Sequence, residues 1–247
     1  HRPRARGCLP EFSSSALCSA IDSPHKMSGL ELKCPHLATF IARRNSGKSH
    51  LQKHLLHLLT KAKRFSWVRV VTPTAFTHEW SDIVGEENVR ETWDEEEVER
   101  LLEHQKECRE KGKPNPGLLI LDDCLGTVQF QSPILVRLAS TGRHFDLSLW
   151  MAFQHWGKTP AFIRSNVDLM VVLNPQSEKI VRSLYDEFCP EGFADWRAWK
   201  AYVLGATRDY GAVVIGPDRV PHMVRAPAVL PVFRLARPKA RRTGRGR

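Results

Sequence analysis

The chain lacks any membrane helix: no stretch of its 247 residues reaches the roughly 18 consecutive apolar positions that crossing a bilayer requires. Residues 1–26 read as a poor secretory signal, because their short apolar segments never join into a continuous core. The six cysteines (Cys8, Cys18, Cys34, Cys108, Cys124 and Cys189) contain no C-x-x-C pair and no even framework. That argues against a zinc site or a disulfide scaffold and for a reduced, intracellular setting. No internal repeat exists, and no linker interrupts the chain before about residue 225, so a single domain is expected. Methionine is missing until Met27. Residues 1–26, rich in Pro, Ser and Arg and without periodicity, are expected to be disordered or outside the native protein, with the domain running over 27–233.

Acid is missing from residues 234–247, whose seven basic side chains carry +7 of the net +10, while residues 1–26 carry +2. The remainder is nearly neutral. The basic, disordered tail is therefore a candidate for phosphate-backbone contact, and the folded body carries no basic stripe.

What the chain does contain is a phosphate-binding signature. Ala42-Arg43-Arg44-Asn45-Ser46-Gly47-Lys48-Ser49 matches the end of the P-loop formula, with Ala42 in place of the first glycine. Gly47 lets the backbone approach a phosphate, helix N-terminal N–H groups form an anion-binding hollow, Lys48 neutralises phosphate charge, and Ser49 supplies a hydroxyl to Mg2+. Context decides such a short motif. His36 to Ile41 reads as a buried strand, and Leu51, Leu55, Leu58 and Leu59 recur at helical spacing after it. His50, His54 and His57 share one face of that helix and read as its polar flank rather than a metal site.

Downstream, Trp67–Thr72 reads as a strand, 74–93 as irregular, and Asp94 to about Lys111 as a helix whose acidic start is a solvated terminus. Gly117-Leu118-Leu119-Ile120-Leu121-Asp122-Asp123 reads as a buried parallel strand ending in carboxylates, where α/β sheets bind ligands. This is a Walker B pattern: Asp122 is placed to serve Mg2+, and Asp123 to act as base or to orient the attacking water. A helix over 132–141 precedes another strand, Leu147–Gln154, whose terminal Gln154 is placed to meet the γ-phosphate or its water. A strand over 167–173, helices over 177–188 and 191–204, and a last strand over 210–215 complete the pattern. The expected fold class is α/β: one P-loop NTPase domain with a mostly parallel central sheet flanked by helices.

Four segments taken in order carry a resemblance: Arg44 to Ser49, Leu119 to Asp123, Gly142-Arg143-His144 leading to Ser148 and Gln154, and Ile163-Arg164-Ser165-Asn166. They resemble the poxvirus-type genome-packaging ATPases of large DNA viruses and their virophage or polinton-like relatives, within the FtsK–HerA superfamily of DNA-pumping ATPases. The resemblance spans about residues 30–225. It implies an additional-strand sheet and a Mg-dependent, ATP-driven motor that assembles as a homo-oligomeric ring. Such a motor threads double-stranded DNA into a preformed capsid, in contact with capsid or portal-vertex proteins, at the assembly site of an infected cell. Carried over by position, Arg44, Asn45, Ser46, Gly47, Lys48, Ser49 and His50 hold ATP, while Ser49 and Asp122 hold Mg2+. Lys48, Asp123 and Gln154 are catalytic, and Arg143 or Arg164, with Arg143 preferred, is the finger that reaches a neighbouring subunit's γ-phosphate. The alternatives are a DNA translocase of repair or segregation, a small-molecule kinase, and a nucleotide-binding virion component without turnover.

Overall fold

The computed structural model describes residues 32–124, 128, 131–154, 156–175 and 177–235. The expectations for residues 1–26 and for most of the basic tail fall outside these. Five strands are aliphatic runs buried along their whole length: β1 (Leu37–Ala42), β4 (Gly117–Leu121), β5 (Leu147–Phe153), β6 (Leu169–Leu173) and β7 (Gly211–Ile215). Strands with no polar face must be covered on both sides, and here helices cover both.

With β2 (Trp67–Val71), β3 (Val89–Arg90) and β8 (Pro221–Arg225), these strands form one sheet in the order β3-β2-β4-β5-β1-β6-β7-β8. All pairs from β3 to β6 are parallel, and β7 and β8 add antiparallel. Because β5 lies between β1 and β4, the strands leading to the P-loop and to Asp122 are separated by one additional strand.

Residues alternate between two apolar layers. One face of the sheet packs against α1 (Lys48–Lys61) and the short α2 (Ser81–Val84), through Phe40, Leu51, Leu55, Trp80 and Trp150. The other face packs against α3 (Glu95–Glu110), α4 (Pro133–Thr141), α6 (Glu178–Phe188) and α7 (Trp196–Ala206), through Leu102, Leu138, Leu184 and Trp199. The one-turn α5 (Ala161–Arg164) joins β5 to β6. Among the described residues no helix is long and apolar enough to cross a membrane.

The helices of the second face each start on a side-chain cap. Asp94 accepts from Glu97 N–H, Ser132 from Leu135, Ser177 from Ile180, and Asp195 from Arg197 and Ala198. These oxygens satisfy N–H groups that a helix start leaves orphaned. Helix α1 instead begins on Gly47, at φ 82 and with no side-chain cap, so its first N–H groups remain open to something else.

Several expectations need correction. The strand over 210–215 is not the last: β8 follows it, an edge strand opened by proline and half-exposed, so its alternation is too weak to read. The irregular stretch 74–93 contains α2 and the two-residue edge strand β3. The helix expected from Glu191 starts only at Trp196, because the Asp195 carboxylate fixes the start there. The acidic opening of α3 is not merely solvated, since Glu97 takes Arg69 at 2.6 Å and Arg90 at 3.0 Å and so ties α3 to β2 and β3. At the start of the basic tail, Leu235 N–H donates to Ile83 C=O at 2.9 Å, and its side chain packs with the α1 layer.

Candidate active site

The site lies where the parallel strands end. Ala42 closes β1 in extended conformation, so no positive φ is demanded of it and the missing first glycine is accommodated. The chain then turns through Asn45 at φ 57 and Gly47 at φ 82 into α1. Ser46 Oγ donates to Arg43 C=O at 2.6 Å and braces the loop, while Arg43, Arg44 and Asn45 stay exposed. The first backbone bond across the start of α1 is Leu51 N–H to Gly47 C=O at 2.9 Å. The N–H groups of Lys48, Ser49 and His50 therefore point out of the helix end, with the positive end of its dipole behind them.

Glycine at position 47 answers a second demand. A Cβ there would lie 3.0 Å from Tyr210 Cδ1, in addition to the strain of the left-handed backbone.

Lys48 and Ser49 both meet the end of β4. Lys48 Nζ lies 3.1 Å from Asp122 Oδ1 and 3.4 Å from Asp123 Oδ1. Ser49 Oγ donates to Asp122 Oδ2 at 3.1 Å, and Trp80 Nε1–H donates to the same oxygen at 3.0 Å. Asp122 is buried, with its N–H bonded to Val71 C=O, whereas Asp123 turns outward at φ 59 with its side chain 45% exposed. The two aspartates thus differ in environment: one is a fixed, buried carboxylate and the other stands at the solvent side beside Lys48.

Asp122 Oδ1 accepts no hydrogen bond among the described residues, despite its ion pair with Lys48. A hydroxyl beside a carboxylate with one unfilled oxygen suits Mg2+, a hard cation that keeps most of its waters and takes few protein ligands. The residues present therefore fit that ion.

Gln154 immediately follows Phe153, the partner of Ile41 in the β5–β1 register, so it stands between the ends of β1 and β4. The His50 side chain is tied to the segment after β8. Its Nε2 is bonded to Pro227 C=O at 2.7 Å, which leaves only its backbone N–H to face the loop. Neither arginine joins the site within this chain. Arg143 Nη1 donates to Asp168 Oδ1 at 2.7 Å, and Asp168 Oδ2 accepts Leu37 N–H, at the opposite end of β1. Six strand residues separate that point from the P-loop, about 17–20 Å. Arg164 Nη1 donates to Glu187 Oε1 at 2.6 Å, on α6.

Sequence reasoning missed Trp80. It sits in the stretch read as irregular, with Lys53 Nζ 5.5 Å from its ring centroid, and only the fold brings its N–H to Asp122. A tryptophan isolated in a polar loop was the available signal.

The family described as Poxvirus A32 protein matches residues 30–185, which include the P-loop, the Asp-Asp strand end, Gln154 and both arginines. The chain belongs to the poxvirus A32 protein family. Among curated relatives of this A32 family member, "Uncharacterized protein 075L" of Invertebrate iridescent virus 6 is 30% identical over 178 residues, covering 71% of this chain and 68% of that one. Among solved structures, the fold resembles the genome packaging NTPase B204 of Sulfolobus turreted icosahedral virus 2 in complex with ATP-gammaS. The TM-score is 0.57 at 16% identity, over 78% of this chain and 98% of that one. It also resembles the pCW3 conjugation coupling protein TcpA, with a TM-score of 0.52 at 14% identity over 80% of this chain and 61% of that one. At these identities the two likenesses show a shared fold.

Proposed function

We propose that the chain is an ATP-hydrolysing motor that drives double-stranded viral DNA into a preformed capsid. One observation carries the reading: in a member of the A32 family, Lys48, Ser49, Asp122 and Asp123 converge at the ends of β1 and β4, with Gln154 just past the end of the strand between. The alternatives of repair translocase, small-molecule kinase and non-catalytic virion component are not favoured by that family.

The roles follow from placement. The open N–H groups of α1 and the Lys48 ammonium bind the β- and γ-phosphates, backed by Arg44, Asn45, Ser46 and Gly47. Ser49 and Asp122 hold Mg2+, which when bound neutralises charge on the phosphate oxygens. Trp80 and Ser49 between them fix Asp122 Oδ2, so the carboxylate is aimed before the nucleotide arrives. Asp123, exposed and beside Lys48, orients the attacking water and draws its proton, with Gln154 hydrogen-bonding the same water or the γ-phosphate. Arg143, at the far end of the sheet and 45% exposed, serves the next subunit of a ring rather than its own site, and Arg164 is the second choice. Hydrolysis then depends on assembly. The ring grips DNA against capsid or portal-vertex proteins in the infected cell, and the basic tail contributes phosphate contacts.

The test is ATP hydrolysis by the full chain, with and without double-stranded DNA, across protein concentrations that span assembly. The expected result is turnover stimulated by DNA and rising cooperatively with concentration. Turnover indifferent to both would leave a P-loop enzyme of another kind.

A further inference from the structure

Tyr210 is an aromatic side chain left 68% exposed at the same sheet edge as the P-loop. Its place follows from register. Ala42, the last residue of β1, pairs with Leu173 of β6, and Leu173 pairs with Ala212 of β7, so the turn that opens β7 stands beside the phosphate loop. There the Tyr210 Cβ and Cγ lie 3.6 and 3.7 Å from where a Cβ on Gly47 would be, so the root of the ring rests on the loop and the rest is open to solvent.

The turn is held firmly. Asp209 and Tyr210 both have positive φ, at 50 and 61, a backbone that few side chains adopt in succession. Gly211 N–H donates to Arg208 C=O at 2.9 Å, and Arg225 Nη2 donates to the same carbonyl at 3.1 Å. Gly211 admits no side chain, because a Cβ there would meet Ala206 C=O. Solvation alone gives no reason to hold an aromatic ring out in this backbone. A flat apolar ligand beside the phosphates does.

We propose that Tyr210 is the stacking platform for the base of the nucleotide whose phosphates the P-loop binds. This rests on the nucleotide reading above and deepens it: phosphates alone are read by α1, and the base is read by the turn before β7. Every base has a π-face, so stacking adds affinity for a nucleoside triphosphate over bare triphosphate without selecting strongly among bases.

The experiment compares binding of ATP and of inorganic triphosphate, both with Mg2+, to the full chain and to Tyr210→Ala, Tyr210→Phe and Tyr210→Asn. Asparagine tolerates the left-handed backbone and keeps the test sound if alanine disturbs the turn. The expected result is that Ala and Asn weaken ATP by roughly five- to a hundredfold and leave triphosphate unchanged, while Phe binds like the wild type. Equal losses for both ligands would make the ring a brace for the loop, and no loss for either would make it a bystander; each overturns the inference. A wild type that binds triphosphate and ATP equally would overturn it too, with the P-loop intact. A wild type that binds neither removes the nucleotide reading, and this inference with it.

Discussion

The two edges of the sheet are built on opposite rules. At the edge where β1 begins, polar groups are matched within the chain. His36 Nδ1 is bonded to Lys33 C=O at 2.9 Å, Trp150 Nε1–H donates to His36 Nε2 at 2.8 Å, and His36 N–H donates to Ser148 Oγ at 3.1 Å. Asp168 takes Leu37 N–H on one oxygen and Arg143 on the other. Since tryptophan only donates, His36 Nε2 carries no proton and the imidazole is neutral, with its proton on Nδ1 toward Lys33. At the edge where β1 ends, the backbone turns through positive φ at Asn45, Gly47, Asp123, Asp209 and Tyr210, and Asp122 Oδ1 accepts no hydrogen bond among the described residues. The closed edge locks β1, β5 and β6 together through side chains that share no sequence neighbourhood. That rigidity lets the other edge hold charge and open donors without collapsing onto them.

The sharpest way to break this contrast is at the open edge. Lys48→Ala should reduce ATP turnover by at least about a hundredfold, since an ammonium aimed at developing phosphate charge contributes on the scale of an oxyanion-hole donor. Wild-type turnover in that variant, measured by phosphate release, would sink the assignment of the loop.

At the closed edge the effect should fall on stability. Asp168→Ala leaves Leu37 N–H without its acceptor and should cost about 1–2 kcal/mol in urea unfolding. The Arg143 pair adds little, because that arginine is 45% exposed and screened by water. A change within error would mean that the closed edge does not hold the sheet.

The most gradual effect is on pH. Burial pushes the His36 imidazole below its usual range, and burial together with His57 and His50 does the same to His54. For a histidine kept neutral by the fold, the unfolded chain takes up the proton first. Stability should therefore be level above about pH 6.5 and decline below it, by up to about 1.4 kcal/mol per pH unit for each such histidine. Urea midpoints at pH 7.5, 6.5 and 5.5 check this; a flat series would show that neither histidine is held neutral. Burial also lifts the Cys34 thiol to about 11, against the opposing pull of Arg64 and a Ser148 hydrogen bond, so it stays protonated throughout that range.

The parts of the site that could be read in advance are those written in consecutive residues. Gly47, Lys48 and Ser49 are adjacent because one loop must turn, neutralise and ligate within a single helix start, and Asp122 ends a run of aliphatics because a buried strand must surface somewhere. Trp80 and Tyr210 were not legible as site residues, since nothing near them in the chain marks a partner: one reaches Asp122 through an irregular connection, the other reaches Gly47 across two strands. The acidic start of α3 misled for the same reason, because Arg69 and Arg90 come from other elements.

By itself the sequence determined the buried aliphatic strands, the helices between them and the phosphate loop, because periodicity and turn chemistry act over a few residues. Only the tertiary structure decided that Trp80 reaches Asp122, that Arg143 is paired at the end of the sheet opposite its own P-loop, and that β8 closes the sheet. Those depend on which surfaces of distant segments pack together, and no local pattern records that choice.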